Sequence, residues 1–428
     1  MKKKITSRAR FIISFMLAMT LMLCMAAPAF ASNVPSGPGT PGAPAQAAIT
    51  KVLNMAEGVT TPAATFTFTI SPISVDGVAY TPTPANMPTI SNATILFAAT
   101  DVGTTAAGVK SVPLESANIV AGVTWPHAGV FKYGIVENAS VAPYVPGSAE
   151  TFTYSQASYE IDVYVSNSSS GLFVEYIAAI RIDDDSGTAE PTPPKTDPTP
   201  GGDGSSYFLS QMMFTNSYAK TTGTNPITDP SLEISKVVAG LGANQNKPFS
   251  FAITLTMPAA GVTGTPTYNA YVIDSAGIIS PIGTGITATT NVGNDGTNDY
   301  IEFPTGTAVT VNLMHDQKLA FVGLHVGTTF LAIEAADVEY IAEVDITLNG
   351  GSPINLANSA VNTARSTLDR LVTEGVDSAD FTNTRDLAAP TGISMNNLPF
   401  VVLIIIVIAA LALYVVIRSR KRAREATE

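Results

Sequence analysis

Three kinds of residue that can react with one another recur twice along the chain, in the same order. Each of the six lies in a short segment in which apolar residues alternate with small or polar ones: Lys51 in ITKVL, Glu137 in YGIVE and Asn216 in FTN in the first half, and Lys236 in ISKVV, Glu334 in FLAIE and Asn383 in FTN in the second half. The lysine and the asparagine are 165 residues apart in the first half and 147 in the second.

Amine, carboxyl and carboxamide side chains can form a covalent bond when they meet in a dry interior. Burial lowers the pKa of a lysine until the amine is neutral, and a neutral amine is a nucleophile. The carboxamide of asparagine offers a carbon to attack, with ammonia as the leaving group. A carboxyl group in the same pocket has a raised pKa, so it can bind the amide in its protonated form and transfer protons. The two ordered sets therefore predict two intramolecular Lys–Asn isopeptide bonds. The alternative is that these are ordinary strand residues, with each lysine extended to the surface.

The segments that must position these residues have the pattern of β-strands. TFTFTI at 65–70 and YEIDVYV at 159–165 alternate apolar and polar residues, and such runs are separated by Gly, Pro, Asn and Asp clusters. This pattern predicts an all-β chain of sandwiches with one buried face per strand. One stretch differs, because apolar residues recur at helical spacing from 354 to 372, which predicts a short surface helix there.

The repeat of the reactive residues also predicts two homologous domains. Residues 187–206 have the composition of a linker, but the position of Asn216 makes them a long loop inside the first domain. The predicted division is: 32–46 a flexible Pro/Gly-rich segment, 47–219 domain 1, 220–230 a linker, 231–386 domain 2 and 387–397 a short segment before the C-terminal apolar run.

These motifs resemble the backbone pilins of streptococci and their relatives, whose domains form internal isopeptide bonds. The family pattern is x-K-x-V/L in the first strand, a central Y-x-I-x-E and a closing F-x-N, and the three elements stand here twice. The resemblance implies two tandem Ig-like or CnaB-like β-sandwiches. It implies that Lys51 and Lys236 are nucleophiles, Glu137 and Glu334 proton-transferring acids, and Asn216 and Asn383 electrophiles. Asp337 and Glu339 are alternatives to Glu334.

The N-terminus has the features of a secretory signal peptide. Five basic residues precede an apolar run and the sequence Ala29-Phe30-Ala31, which predicts a signal peptide over residues 1–31. Cys24, the only cysteine, lies inside it, so the mature chain has no thiol and no disulfide. An uncleaved signal anchor is the alternative.

The C-terminus has the features of a membrane anchor with a sorting signal. Residues 398–417 are apolar and long enough to span a membrane, and 418–428 form a basic tail, which predicts a cytoplasmic end. Ala388-Ala389-Pro390-Thr391-Gly392 precedes the span and resembles the cell-wall sorting signals that a sortase cleaves between Thr and Gly. The first residues differ from the commonest Leu-Pro form. In pilus assembly the Thr carboxyl joins a lysine of the next subunit; Lys195 is the first candidate for that lysine and Lys220 the second.

Charge and motif content exclude several functions. Between residues 32 and 417 there are 12 basic and 32 acidic residues, and such a polyanion is a poor ligand for nucleic acid. No G-x-S-x-G, H-E-x-x-H or phosphate-loop motif is present, and the three histidines lack metal-ligand spacing, so neither an enzyme nor a cofactor or metal is expected. The expected partners are a sortase, neighbouring pilin subunits or peptidoglycan and, before processing, the membrane. The prediction is a secreted cell-surface pilin; a monomeric wall-anchored or membrane-anchored adhesin is the alternative.

Overall fold

In the computed structural model, residues 38–82, 85–201, 209–283, 292–356, 360–386 and 398–425 are described. The predicted signal peptide at 1–31 and the sorting-signal residues Thr391 and Gly392 lie outside these ranges.

Domain 1, residues 38–222, is a sandwich of short and medium-length strands. They are β1 (Thr50–Ala56), β2 (Thr65–Val75), β3 (Val78–Ala79), β4 (Ala93–Leu96), β5 (Thr104–Ala106), β6 (Val109–Glu115), β7 (Gly129–Glu137), β8 (Glu150–Thr153), β9 (Ser158–Ser168), β10 (Gly171–Asp183), β11 (Lys195–Thr196) and β12 (Met213–Thr222).

The two sheets of domain 1 face each other across one hydrophobic core. One sheet has the order β12-β1-β6-β5, with β8 on the other side of β12, and the second has the order β11-β10-β9-β7-β2-β3, with β4 also paired to β2. In β2 the alternation seen in the sequence becomes alternation of burial, since Phe66, Phe68 and Ile70 are buried and the threonines between them are not. First and last strands, β1 and β12, are parallel neighbours.

Domain 2, residues 232–386, repeats this arrangement with a different number of strands. They are β13 (Leu232–Leu241), β14 (Phe249–Thr256), β15 (Thr267–Ile273), β16 (Val292–Asn294), β17 (Asp299–Pro304), β18 (Ala308–Leu313), β19 (Gln317–Val322), β20 (Leu324–His325), β21 (Thr329–Glu334), β22 (Ile341–Thr347), β23 (Ile354–Leu356), β24 (Arg365–Ser366), β25 (Arg370–Leu371) and β26 (Ser378–Asp386).

Here too the first and last strands are parallel neighbours inside one sheet. That sheet has the order β16-β17-β15-β19-β13-β26-β22-β23, and it packs on the sheet β18-β14-β21-β24, with β25 also paired to β21. A second hydrophobic cluster lies between them. The prediction of an all-β fold with tandem sandwiches is thereby confirmed.

The junction between the domains is a continuous hydrogen-bonded structure. Strand β12 runs to Thr222, three residues into the predicted linker, and β20 of domain 2 pairs with its end. The N–H of Gly323 donates to the carbonyl of Gly223, and Val326 packs into the core of domain 1. The carboxylate of Glu374 accepts bonds from Thr60 and lies 3.1 Å from the Lys220 amine. Domain 2 is therefore fixed against domain 1 by backbone pairing, apolar packing and an ion pair.

The segment at 32–46, predicted to be flexible, makes backbone hydrogen bonds to β10 in its described part. Gly39 N–H donates to the Glu175 carbonyl, and Ala45 N–H to that of Val174. A break in the β9–β10 register between Val174 and Tyr176 leaves these two carbonyls free to accept. A Cβ at Gly39 would lie 2.5 Å from the Val174 oxygen, so only glycine allows this approach. Composition indicates flexibility, but backbone groups of a bulged strand bind the segment.

The predicted surface helix between 354 and 372 is also wrong. The described residues of this stretch form β23, β24, β25 and turns. Asn362 and Leu368 have positive φ angles of 61° and 58°, which a right-handed helix does not accommodate. Val361 and Leu368 are about half exposed, so the apolar residues at helical spacing do not share a buried face.

The C-terminal element α1 (Leu398–Glu425) is the helix expected at the predicted membrane span. Its residues Val401–Arg420 have a mean hydropathy of 3.0 and are long and apolar enough to cross a bilayer. This helix is compatible with a membrane anchor.

Candidate functional site

The strand register places each lysine beside its asparagine. On the parallel strands β1 and β12, Leu53 lies opposite Asn216, and Lys51 precedes Leu53 by two residues. Since side chains two residues apart share a face, Lys51 and Asn216 point into the same side of the sheet as diagonal neighbours. Domain 2 uses the same register: Val238 lies opposite Asn383 on β13 and β26, and Lys236 precedes Val238 by two residues.

In domain 1 the glutamate reaches across the sandwich from the opposite sheet. Glu137, the last residue of β7, accepts a hydrogen bond from Lys51 Nζ on Oε2 at 2.8 Å and one from Asn216 Nδ2 on Oε1 at 2.7 Å. Lys51, Glu137 and Asn216, the first trio, are thus joined through one carboxyl group. The contacts are those of a free amine, carboxyl and carboxamide.

In domain 2 the glutamate also comes from the opposite sheet, but one oxygen makes both contacts. Glu334, the last residue of β21, accepts from Lys236 Nζ at 2.7 Å and from Asn383 Nδ2 at 2.6 Å, both on Oε1. Within the described residues, Glu334 Oε2 and Asn383 Oδ1 are buried without a hydrogen-bond partner. Lys236, Glu334 and Asn383, the second trio, therefore have the same order of contacts and less complete hydrogen bonding.

Both trios are sealed from water by aromatic rings. The side chains of Lys51, Glu137, Lys236 and Glu334 have 0% exposure. Phe66 lies 4.9 Å from Lys51 Nζ, and Phe249 lies 4.5 Å from Lys236 Nζ, measured to the ring centres. Because a buried charge is poorly solvated, burial shifts the balance toward the neutral forms of amine and carboxyl.

Burial brings the pKa values of the lysine and the glutamate in each trio closer together. It lowers the pKa of Lys51 to about 8 and that of Lys236 to about 8, although the neighbouring glutamate opposes part of each shift. Burial raises the pKa of Glu137 and of Glu334 above the ordinary carboxyl value, again against the opposing charge of the lysine. Both shifts make proton transfer from ammonium to carboxylate easier, and the product is a neutral amine next to a neutral acid.

The two alternative acids in domain 2 lie elsewhere. Asp337 is 2.6 Å and Glu339 3.5 Å from the amine of Lys247, and Glu339 also pairs with Arg385. Of these three acids, only Glu334 hydrogen-bonds to both Lys236 and Asn383.

Sequence reasoning missed two residues at the first trio. Ser155, in the connection between β8 and β9, donates its backbone N–H to Asn216 Oδ1 at 2.6 Å. Asp185, beyond the end of β10, accepts the Ser155 hydroxyl at 2.5 Å and the Thr215 N–H at 2.9 Å. Neither residue lies in a repeated motif. Ser155 acts through its backbone N–H, which every residue except proline has, and Asp185 lies in a connecting segment. No sequence signal would have identified them.

The two predicted acceptor lysines have different surroundings. Lys195, in the short strand β11, is exposed, and within the described residues it makes no ion pair or side-chain hydrogen bond. Lys220, in β12, is partly buried and pairs with Glu374 at the domain junction. Every other lysine in the described parts of residues 38–386 has a polar contact: Lys51 to Glu137, Lys110 to Thr61, Lys132 to Glu160, Lys236 to Glu334, Lys247 to Asp337 and Lys318 to Glu233.

The arrangement of each trio suits condensation of the amine with the carboxamide. Nucleophile and leaving nitrogen both contact one carboxyl group, which can accept a proton from the first and donate one to the second. Substrate and catalyst are parts of the same core, so no further loss of translational freedom opposes the reaction. The geometry calls for no metal or organic cofactor.

Comparison with known proteins gives matches for both domains. Residues 47–219 match the family described as the Spy0128-like isopeptide containing domain (FctA), and residues 230–385 match a domain of unknown function, DUF7601. No curated protein matches the chain. Among solved structures, the major pilin of Streptococcus pyogenes is 19% identical over 80% of this chain and 99% of its own, with a TM-score of 0.31. The major pilin T3.2 of Streptococcus pyogenes serotype GAS13637 is 18% identical over 80% and 98%, with a TM-score of 0.29.

Proposed function

We propose that this chain, whose residues 47–219 match the family of Spy0128-like isopeptide containing domains, is a structural subunit of a sortase-assembled surface fibre. Each of its two domains is closed by a spontaneous Lys–Asn isopeptide bond. The role is mechanical rather than enzymatic. The observation that carries the proposal is the convergence of amine, carboxyl and carboxamide in two buried cores with the same strand register.

The proposed reaction in domain 1 uses the carboxyl group of Glu137 twice. A proton passes from the Lys51 ammonium to Glu137, which leaves a neutral amine and a neutral acid. Lys51 Nζ then attacks Asn216 Cγ, and the carbonyl electron pair moves to Oδ1. Glu137 protonates Asn216 Nδ2 and takes a proton from Nζ, the bond from Cγ to Nδ2 breaks, and ammonia leaves as the carbonyl forms again. Lys236, Glu334 and Asn383 take the same roles in domain 2.

A pH dependence follows from the shifted lysine pKa values. In a variant with Asn216→Ala and Asn383→Ala both lysines stay free. Their folded-state pKa is about 8 against 10.5 in the unfolded chain. Between these values the unfolded chain binds more protons, so the free energy of unfolding of the variant rises with pH. Denaturant unfolding from pH 7.5 to 10.5 measures this, with the native chain as reference, because an amide nitrogen does not titrate there. If the free energy of unfolding changed with pH equally in the two proteins, the assignment of Lys51 and Lys236 to the isopeptide bonds would be contradicted.

Export, sorting and cross-linking to the next subunit complete the proposal. A signal peptide at 1–31 directs secretion, and a sortase cleaves between Thr391 and Gly392 before the apolar helix. The Thr391 carboxyl is then transferred to Lys195 of the next subunit or to peptidoglycan. Lys195 is favoured over Lys220 because an acceptor amine must enter the active site of another protein, and only an exposed and unpaired amine does so without first breaking an ion pair.

Polymerisation should depend on Lys195. We expect Lys195→Ala to abolish the SDS-resistant ladder of high-mass species in cell-wall extracts and to leave a monomer band. Lys220→Ala is the matched control, since it removes a lysine of the same domain and should keep the ladder. Immunoblots of wall extracts with and without the partner sortase give the readout.

The blots also distinguish the alternatives. A sortase-dependent single band from the native chain would indicate a monomeric wall-anchored adhesin. A sortase-independent band that retains the Arg-rich tail would indicate a membrane-anchored protein.

A further inference from the structure

The carboxamide oxygen of Asn216 receives a hydrogen bond that Asn383 lacks. Ser155 N–H donates to Asn216 Oδ1 at 2.6 Å, and Ser155 itself is 5% exposed. In domain 2 the corresponding oxygen, Asn383 Oδ1, is buried without a partner among the described residues. The two sites thus share a nucleophile, an acid and an electrophile, and differ at the oxygen on which negative charge develops.

This bond also fixes the orientation of the Asn216 amide. A backbone N–H can donate only to the oxygen of a carboxamide and not to its NH2 group. With Oδ1 held by Ser155, Nδ2 faces Glu137 Oε1 at 2.7 Å. The leaving nitrogen is therefore turned toward the acid that must protonate it.

We infer that the Ser155 backbone N–H is the oxyanion donor of the cross-linking reaction in domain 1, with Asp185 as its positioning residue. The inference rests on the proposed bond between Lys51 and Asn216. When the amine attacks, the Oδ1 atom gains negative charge, and a fixed N–H in a dry core stabilises that charge without solvent reorganisation. Loss of one such donor in enzymes slows the reaction by roughly 10²–10³-fold.

Asp185 holds the donor in place through three contacts. Its Oδ1 accepts the Ser155 hydroxyl and the Thr215 N–H, and its backbone carbonyl accepts the Gln156 N–H. It thereby joins the segment that carries the donor to the strand that carries Asn216. Thr153 in β8 pairs with Ser217, the residue after Asn216 in β12. The segment that carries Ser155 therefore continues along β12 next to the Asn216 amide.

The experiment follows both bonds in the same full-length chain. The chain is synthesised in a short cell-free pulse with detergent, synthesis is stopped, and samples are quenched at intervals in acidic denaturant. Proteolysis and mass spectrometry then quantify the Lys51–Asn216 and Lys236–Asn383 linked peptides. The domain 2 bond is the internal control for synthesis, quenching and recovery.

Four variants separate the donor from its surroundings. Ser155→Pro removes the N–H and should slow the domain 1 bond by about 10²-fold or more. Ser155→Ala keeps the N–H but loses the hydroxyl contact with Asp185, so it should slow the bond no more than Asp185→Ala does and far less than Ser155→Pro does. Asp185→Ala releases the donor segment and should slow the bond roughly tenfold, while Asp185→Asn, which keeps an acceptor oxygen, should restore most of the rate. The domain 2 rate should be unchanged in all of them.

The outcomes are distinguishable. If Ser155→Pro does not fold, as judged by protease resistance of domain 1, the two Asp185 variants decide. Native rates in Ser155→Pro and Asp185→Ala would overturn the inference and leave the proposed bond intact. An Asp185→Asn variant as slow as Asp185→Ala would overturn the positioning role. If the native chain forms no linked peptide in domain 1, the proposed function itself fails there.

Discussion

The native mature chain is expected to weigh about 34 Da less than its sequence requires, because each isopeptide bond releases one ammonia of roughly 17 Da. In Asn216→Ala the deficit should fall to about 17 Da, and in the double variant with Asn383→Ala it should vanish. Each lost bond frees a loop of 165 or 147 residues, and in the chain-entropy description this costs about 5 kcal/mol of unfolding free energy. Intact-mass spectrometry measures the deficit, and denaturant unfolding of each variant measures the loss.

Asn54→Ala is the matched control for this prediction. Asn54 lies on β1 close to Lys51, but its carboxamide oxygen accepts the Ser111 hydroxyl and has no contact with the first trio. Its replacement should leave the full mass deficit and cost only a hydrogen bond, about 1 kcal/mol. A native chain at its full calculated mass would eliminate the covalent account for both domains.

The sequence was sufficient to predict the class of fold and the residues that the structure brings together. Alternation of burial in β2 is visible in the letters TFTFTI, and a lysine in an apolar strand is conspicuous because its burial is unfavourable. The repeat gave further information, since two sets of Lys, Glu and Asn in one order are much less expected by chance than one. Local pattern and internal repetition therefore carried the prediction.

Other features depend on contacts that no local pattern contains. The segment at 38–46 is bound through the carbonyls of Val174 and Glu175 at a break in strand register, and such a break has no signature in composition. Spacing in the stretch 354–372 suggested a helix because apolar residues recur there, yet two of its residues adopt positive φ. Ser155 acts through its backbone, which every residue has. Sequence patterns therefore do not predict contacts that depend on the local geometry of the backbone.

Under tension, we expect the native chain not to extend, whereas domain 1 of the Asn216→Ala variant should unfold and extend. When the chain is pulled from its two ends, force enters domain 1 near β1 and leaves it through β12. These parallel neighbours are then loaded in shear, because the two attachment points lie at opposite ends of the pair. In the native chain the proposed Lys51–Asn216 bond is expected to carry this load, so that the 164 residues between them stay folded. In Asn216→Ala only non-covalent contacts resist, namely the strand hydrogen bonds of β1 and β12 and their packing in the core, and these break at finite force.

Single-molecule pulling from handles placed before residue 47 and after residue 386 tests this directly. We expect the native chain to show no unfolding step for either domain up to rupture of the handles. Asn216→Ala should show one step with a contour length of roughly 550 Å, the reach of 165 extended residues. Asn383→Ala should show one shorter step of roughly 490 Å for its 147 residues, which identifies the domain that opens. Unfolding steps of both sizes in the native chain would mean that strand hydrogen bonds, and not covalent bridges, carry the load.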